Sequence, residues 1–177
     1  MILNVRDNLF IRSLSEDDAP VVYNVVDDNR LYLRRWLPWV DATDSEALLR
    51  DVIDDWEKRC EKGSDIVGGI FTSGKYIGNI GLHDINTDKK TAVVGYWLAE
   101  AFQGGGIMTD CVRSLINYAF DRLGMNTVCI HCAVGNNKSR ALPLRLGFTE
   151  SGVLKGGETL YGITHDMIIY SLDRRRS

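Results

Sequence analysis

Apolar and polar residues alternate through LFIRSL (residues 9–14), the period-2 pattern of a half-buried strand. Ser15 then opens a helix with Asp18 as its partner three residues on, and Val21, Val22, Val25 and Val26 give that helix an apolar side. The segment Arg34-Arg35-Trp36-Leu37-Pro38-Trp39 is stiff and aromatic, and Pro38 stops a helix from running through it. Thr43-Asp44-Ser45-Glu46 has the form of a capping box. The helix it starts carries Leu48, Val52, Ile53 and Trp56 on one face, and Gly63 is placed to end it. Three strand-like runs follow: DIVGGIFTS, YIGNIGLHDI and TAVVGYWLA. Ser73-Gly74 joins the first two as a two-residue hairpin and Asn86-Thr87-Asp88-Lys89 joins the second to the third, which makes an antiparallel meander.

The pattern then changes from period 2 to period 3.6. After Ala101-Phe102-Gln103-Gly104-Gly105-Gly106, the residues Ile107, Cys111, Leu115, Ala119 and Leu123 recur every four positions, flanked by Met108, Val112 and Ile116, and Gly124 ends the stripe. A strand over residues 127–134 leads through Gly135-Asn136-Asn137 into a short helix from Lys138 toward Leu146. After Gly147-Phe148, strands over residues 149–155 and 165–172 complete the chain. The order β, α, α, β, β, β, α, β, α, β, β predicts one α+β domain over residues 1–177, with seven strands and about four helices.

Composition supports a folded chain. The 177 residues are 45% apolar and 25% charged, ordinary globular values that exclude a disordered, collagen-like or coiled-coil chain. No apolar run approaches the ~18 residues of a membrane span. MILNVRDNLF lacks the basic and long apolar regions of a signal peptide, so a soluble cytoplasmic domain is expected, with no membrane partner. The net charge of −3 argues against binding nucleic acid, which requires many phosphates to be neutralised. Arg174-Arg175-Arg176 reads as a solvated tail. Cys129-Ile130-His131-Cys132 has the C-x-x-C spacing of a zinc half-site. It lies in a strand-like run, however, where residues three apart face opposite sides, and no second ligand pair accompanies it. Cys60, Cys111, Cys129 and Cys132 are therefore expected to be reduced thiols, with no metal bound.

Gln103-Gly104-Gly105-Gly106 joins a strand to a helix. Glycines admit close backbone approach, and the first N–H groups of a helix point outward with the positive end of its dipole, so such a loop can cradle a pyrophosphate; it can also be a turn that needs positive φ. No Gly-Lys-Ser/Thr of a Walker loop occurs, Thr109 stands where a dinucleotide fingerprint needs its third glycine, and the preceding strands form a meander.

The strand and loop GYWLAEAFQGGGIMTD, with the amphipathic helix after it, resemble the acetyl-CoA signature Gln/Arg-x-x-Gly-x-Gly/Ala of GNAT N-acetyltransferases: Gln103 and Gly106 match, and Met108 stands at the last position. RRWLPWVD, GNNKSRALPLRLGF and HDMIIYSL are similar to the Rim-type branch, the ribosomal-protein N-terminal acetyltransferases and their relatives. The resemblance implies a mixed, mostly antiparallel sheet of seven strands, splayed between its fourth and fifth. It also implies acetyl-CoA as co-substrate, held by backbone groups of Leu98 and Ala99 along the pantetheine and by Gln103, Gly104, Gly105, Gly106, Ile107, Met108 and Thr109 at the pyrophosphate. Asn136 would bond the pantetheine arm or cap the next helix, and Ser139 would face the sulfur.

Direct acyl transfer to an amine needs three things: a base for the ammonium, a donor to the thioester oxygen and a proton for the leaving thiolate. The tyrosine many GNAT enzymes place for the thiolate is replaced here by Pro143, and Ser139 matches the hydroxyl of the Rim-type branch. Glu158, expected in the connection between the last two strands, matches the acidic base of that branch. His83 and Asp84 are the reserve pair, and His165 and Asp166 are expected to pin the edge of the last strand. Trp36 and Trp39, beside Arg34 and Arg35, would wall the acceptor groove or form core or dimer surface. The expected acceptor is a protein or peptide N-terminal amine. A small amine, or an acyl-CoA-binding module without turnover, is the alternative, and a homo-oligomer is expected.

Overall fold

Leu3 and Val5 alternate with Asn4 and Arg6 much as Leu9 and Ile11 alternate with Phe10 and Arg12, and the chain reverses between the two runs. In the computed structural model, which describes residues 1–174, β1 (Ile2–Arg6) and β2 (Leu9–Arg12) form an antiparallel hairpin with Asn8 at φ 59°. The sheet therefore has eight strands, one more than the sequence pattern predicts, because the five residues of β1 form an edge strand of their own. Arg175 and Arg176 of the basic C-terminal cluster lie outside the described residues.

The remaining strands are β3 (Ile66–Thr72), β4 (Lys75–Asn86), β5 (Thr91–Leu98), β6 (Thr127–Ala133), β7 (Thr149–Leu160) and β8 (Ile163–Asp173), ordered β1-β2-β3-β4-β5-β6-β8-β7. The meander β3–β4–β5 is antiparallel, closed by Ser73-Gly74 and by a turn in which Asn86 Oδ1 accepts the Lys89 N–H at 2.8 Å. β5 meets β6 in parallel, and only through Thr91, Ala92 and Val93 against Thr127, Val128 and Cys129. Beyond those residues the two strands part, which is the expected splay, shifted one place in strand count by β1.

Helices cover both faces. α1 (Ala19–Asp28), the single turn α2 (Arg30–Leu33) and α3 (Glu46–Glu61) lie on one, where Val22, Val26, Leu49 and Ile53 pack with Phe71, Tyr76 and Trp97. On the other, α4 (Ile107–Asp121) presents Cys111, Val112, Leu115 and Ala119 to Ile80, Leu82, Val94 and Ile130, and α5 (Asn137–Arg145) adds Leu142. The α4 stripe is the one the periodicity gives; on α1 Val21 is exposed, and on α3 Leu48 is exposed while Leu49 takes the buried place beside Ile53. The α3 cap is Ser45, whose Oγ accepts the Leu48 N–H at 3.3 Å. Thr43 is instead buried and turns its hydroxyl back to the carbonyls of Trp39 and Val40, so the expected capping box does not form and a simple serine cap lies two residues later.

Two local features set the frame. The Asp18 carboxylate takes Arg12 Nη1 and Nη2 at 2.8 and 2.6 Å and the Ser15 N–H at 2.9 Å, tying β2 to the start of α1; the guanidinium bond holds this carboxyl below its usual range. The turn into α4 places Gly104 and Gly106 at φ 83° and 75°, while Gly105 is outside the left-handed region, and a Cβ at any of the three would meet nothing within 4 Å. Only backbone conformation, not space, demands glycine there.

Two predictions follow from these features. Asp18→Asn should cost roughly 1–2 kcal/mol at pH 7, a Tm drop of roughly 2–8 °C for a chain of this size. The difference should vanish in acid as the parent carboxyl protonates, because a lowered folded-state pKa gives stability that is lost as pH falls through it. Gly104→Ala and Gly106→Ala should each cost roughly 1–2 kcal/mol through left-handed strain, whereas Gly105→Ala should leave the melting curve unchanged or slightly raised; thermal denaturation reads all three.

Candidate active site

In an antiparallel ladder, successive residues of a strand turn their N–H and C=O to opposite sides. The Ala99 N–H donates to the Ile77 carbonyl at 2.9 Å, so with Gly78 opposite Leu98 the odd-numbered residues of β5 bond to β4. The even-numbered ones, Val94, Tyr96 and Leu98, turn their polar backbone toward β6, which has already diverged. This opening is a cleft of about 1060 Å³, lined from Gln103 and Gly106 at one end to Glu158 at the other. Leu98 faces it, with its carbonyl accepting Gln103 Nε2 at 3.3 Å. Ala99 differs from the expectation: its N–H is spent on Ile77, its carbonyl already accepts the Phe102 N–H, and it does not line the cleft.

At the glycine end, the Asp110 N–H makes the first bond of α4, to the Gly106 carbonyl at 3.0 Å. The N–H groups of Ile107, Met108 and Thr109 therefore have no helical partner, and the helix dipole favours an anion in front of them. Gln103 Nε2 also donates to the Tyr32 hydroxyl at 2.6 Å, and Lys138 Nζ reaches Gln103 Oε1 at 3.4 Å. Arg145 Nη1 donates to Thr109 Oγ1 at 3.0 Å. Lys138 and Arg145 both line the cleft, and they bring two cations to the loop that its sequence signature does not contain. Their signal was only their place on the helix facing it.

In the middle of the cleft, Asn136 caps α5: its Oδ1 accepts the Ser139 N–H at 3.2 Å, the capping alternative of the two expected for it. Ser139 Oγ lies 3.1 Å from the Tyr96 hydroxyl and 3.3 Å from Cys132 Sγ. Burial raises the pKa of both neighbours, so both are protonated at neutral pH. Neither was picked from the sequence as a site residue. Cys132 read as a core thiol and Tyr96 as a strand aromatic, and only the parting of β5 and β6 brings them to the cleft.

Glu158 lies at the far end. It is a strand residue, within β7 opposite His165 of β8, and not in the connecting loop as expected. The shift comes from a bulge between Leu154 and Glu158 that lengthens β7 past the turn signal of Gly156-Gly157. Asp166 pins the bulge, its carboxylate accepting Lys155 Nζ at 2.6 Å and the Gly156 N–H at 2.9 Å. A Cβ on Gly157 would sit 2.7 Å from Met167 Cγ, so the strand backbone can press against β8 only with glycine there. Burial raises the Glu158 carboxyl above its ordinary range, against a smaller opposing pull from His165. His165 in turn meets Trp36 edge-on, ring centres 6.2 Å apart, and Trp36 forms part of the cleft wall.

Three sequence candidates lie elsewhere. Trp39 packs on Trp97 at 6.2 Å within the α1–α3 core and does not line the cleft. His83 gives Nδ1 to the buried Asp65 at 3.0 Å, which also holds Arg59 at 3.1 Å, and its ring lies over Gly81 and Gly95. Asp84 occupies a positive-φ position in the irregular end of β4. Neither lines the cleft; on β6, His131 does, with burial holding its imidazole below the ordinary pKa. All four cysteines are free thiols, and among the described residues no group of three or more His, Cys, Asp or Glu is arranged for a metal and no helix is long and apolar enough to cross a membrane.

Residues 8–149 match the family model described as the acetyltransferase (GNAT) domain. The chain is 37% identical to the protein YdaF of Bacillus subtilis, across 97% of this chain and 94% of that one. Among solved structures, RimL, a ribosomal L7/L12 alpha-N-protein acetyltransferase in complex with coenzyme A in a disulfide to one of its cysteines, superposes with TM-score 0.94 at 29% identity, covering 98% of both chains. The microcin C7 self-immunity acetyltransferase MccE, in complex with acetyl-CoA and AMP, superposes with TM-score 0.92 at 29% identity, over 96% of this chain and 94% of that one. The splayed sheet, the glycine loop at the start of α4 and these matches over nearly the whole length place the chain in the GNAT acetyltransferase family.

Proposed function

We propose that the protein transfers the acetyl group of acetyl-CoA to the α-amine at a protein or peptide N-terminus, by direct attack within the cleft between β5 and β6. The observation that carries this reading is the polarity of the cleft: unpaired helix N–H groups with Lys138 and Arg145 at one end, a protonated hydroxyl cluster at Ser139, and the carboxyl of Glu158 at the other. A pyrophosphate suits the first and a cationic amine the last. The protein-amine acceptor is supported by the likeness to RimL, and the position of the thioester sulfur by Cys132, the cysteine that lines the cleft, since RimL holds coenzyme A through a cysteine.

In this scheme the amide N–H groups of Ile107, Met108 and Thr109 hold the pyrophosphate, and Leu98 lies along the pantetheine. Glu158 takes a proton from the ammonium and passes it to solvent. The amine nitrogen then bonds the acetyl carbon, the carbon–sulfur bond breaks, and the nitrogen gives up its second proton to Glu158, which has been freed by passing the first to solvent. The Leu98 N–H faces the carbonyl oxygen as it gains charge, and Ser139 gives the departing thiolate its proton and is reprotonated from the water-filled cleft. Trp36, with His165 against it, walls the side from which the acceptor enters.

Incubating the protein with acetyl-CoA and a panel of N-terminal peptides and small amines, scored by thiol release and product mass, tests the acceptor. Acetylated peptide α-amines are expected. Turnover restricted to small amines would move the acceptor to that class, which the likeness to the spermidine N(1)-acetyltransferase of Vibrio cholerae, 26% identical over 85% of this chain, favours as a second reading. Thiol release on no amine would leave an acyl-CoA-binding module.

Ser139→Ala should lower kcat by roughly 10- to 1,000-fold with little change in the KM for acetyl-CoA, since general-acid assistance is worth about 10²–10⁴ and water substitutes in part. Glu158→Gln should lower kcat/KM by about 10²–10⁴ and remove the acidic limb that Glu158 creates, a limb displaced upward from the ordinary carboxylate range because burial raises this group. The same raised pKa means the ionised carboxylate opposes folding, so stability falls as pH rises from the ordinary Glu range through the raised value. Glu158→Gln should therefore melt higher than the parent at neutral pH and equally in acid.

A further inference from the structure

The last paired residues of β5 and β6 are Val93 and Cys129, and Tyr96 and Cys132 each follow three positions later, one on either bank of the opening. The N-terminal turn of α5 sets Ser139 between them. A serine hydroxyl has one proton to donate and two lone pairs to fill. Around Ser139 Oγ stand two groups that each carry a single proton, the Tyr96 phenol at 3.1 Å and the Cys132 thiol at 3.3 Å. Burial keeps each of them in its protonated form. Another acceptor near the Tyr96 hydroxyl is the carbonyl of the same serine, at a longer 3.3 Å.

We propose that Tyr96 and Cys132 are positioning residues for the acetyl transfer: their O–H and S–H fill the two lone pairs of Ser139 Oγ, so that the serine proton has only the open cleft left to point into, toward the departing sulfur. The inference rests on the reading of Ser139 as proton donor to the thiolate. Its physical content is preorganisation. A hydroxyl free to rotate would spend part of its time donating to the tyrosine or cysteine and would have to turn before it could serve the leaving group. Tyr96 thus occupies a supporting position behind the serine, in a fold whose usual tyrosine position is held by Pro143.

Steady-state kinetics on Tyr96→Phe, Cys132→Ala, Ser139→Ala and the two doubles with Ser139→Ala test it, each protein first checked by thermal melt. Tyr96→Phe and Cys132→Ala should each lower kcat by about 2- to 13-fold, the scale of one net hydrogen bond, with the KM for acetyl-CoA moved less than about 2-fold. In the Ser139→Ala background neither should lower kcat further, because residues that act through a common partner are not additive. Losses that multiply would show a general structural role and overturn the proposal, as would Tyr96→Phe or Cys132→Ala turning over at the parent rate. If Tyr96→Phe does not fold, the Cys132→Ala cycle decides alone. A parent-like Ser139→Ala would be distinguishable: it would remove the serine from the mechanism, and the proposal with it.

Discussion

β5 and β6 share three residue pairs and then separate, and the chemistry of the molecule is organised around the consequence. Backbone N–H and C=O groups inside a protein need partners, and two parallel strands that part leave a row of them facing each other across a gap. The chain uses part of that row itself, as where Gln103 reaches the Leu98 carbonyl, and leaves the rest along a cleft where a ligand can run like an added strand. The same divergence exposes side chains that a continuous sheet would cover. Tyr96 and Cys132 are strand residues turned toward helix-packed core, and they reach the cleft only because the neighbouring strand has gone.

Each end of the cleft is then given its charge by a different local device. At one end, left-handed glycines swing the chain into α4 so that its first N–H groups face outward, and Arg145 and Lys138 on the adjacent helix α5 come alongside. At the other, a bulge held by Asp166 and made possible by Gly157 turns Glu158 of an edge strand into a half-buried position, where loss of water raises its pKa. The carboxyl is poised nearer neutrality by burial at a site that its own strand would otherwise leave in solvent.

The sequence is legible where function and local structure share a signal. The stripe of α4, the Ser73-Gly74 hairpin, the glycine loop and the cap at Asn136 all rest on neighbours within a few residues, and all are found where the pattern puts them. It is less legible where register or tertiary contact decides. The β1 hairpin is short and turns at Asp7-Asn8, a weaker signal than the glycine-containing turns, so the pattern alone does not reveal its first strand. Gly156-Gly157 reads as a turn but lies in a strand bulge, so the sequence places Glu158 in the right neighbourhood but in a loop and not in the strand where it lies. Trp39 and His83 carry attractive side chains whose partners, Trp97 and Asp65, are 58 and 18 residues away in sequence and make them structural. Nothing in TAVVGYWLA or TVCIHCAV distinguishes paired residues from unpaired ones, so the roles open to Tyr96 and Cys132 became visible only in three dimensions.

The central claim is that the gap between β5 and β6, from Leu98 to the start of α4, is where acetyl-CoA binds. Amide hydrogen exchange followed by mass spectrometry, with and without saturating acetyl-CoA, tests it most directly. The account predicts slowed exchange at residues 104–109 and at Leu98, whose N–H groups have no partner among the described residues. Trp97 and Ala99, already bonded to β4, should change little. Binding of acetyl-CoA with protection confined to other segments, or no protection at millimolar acetyl-CoA, would contradict it.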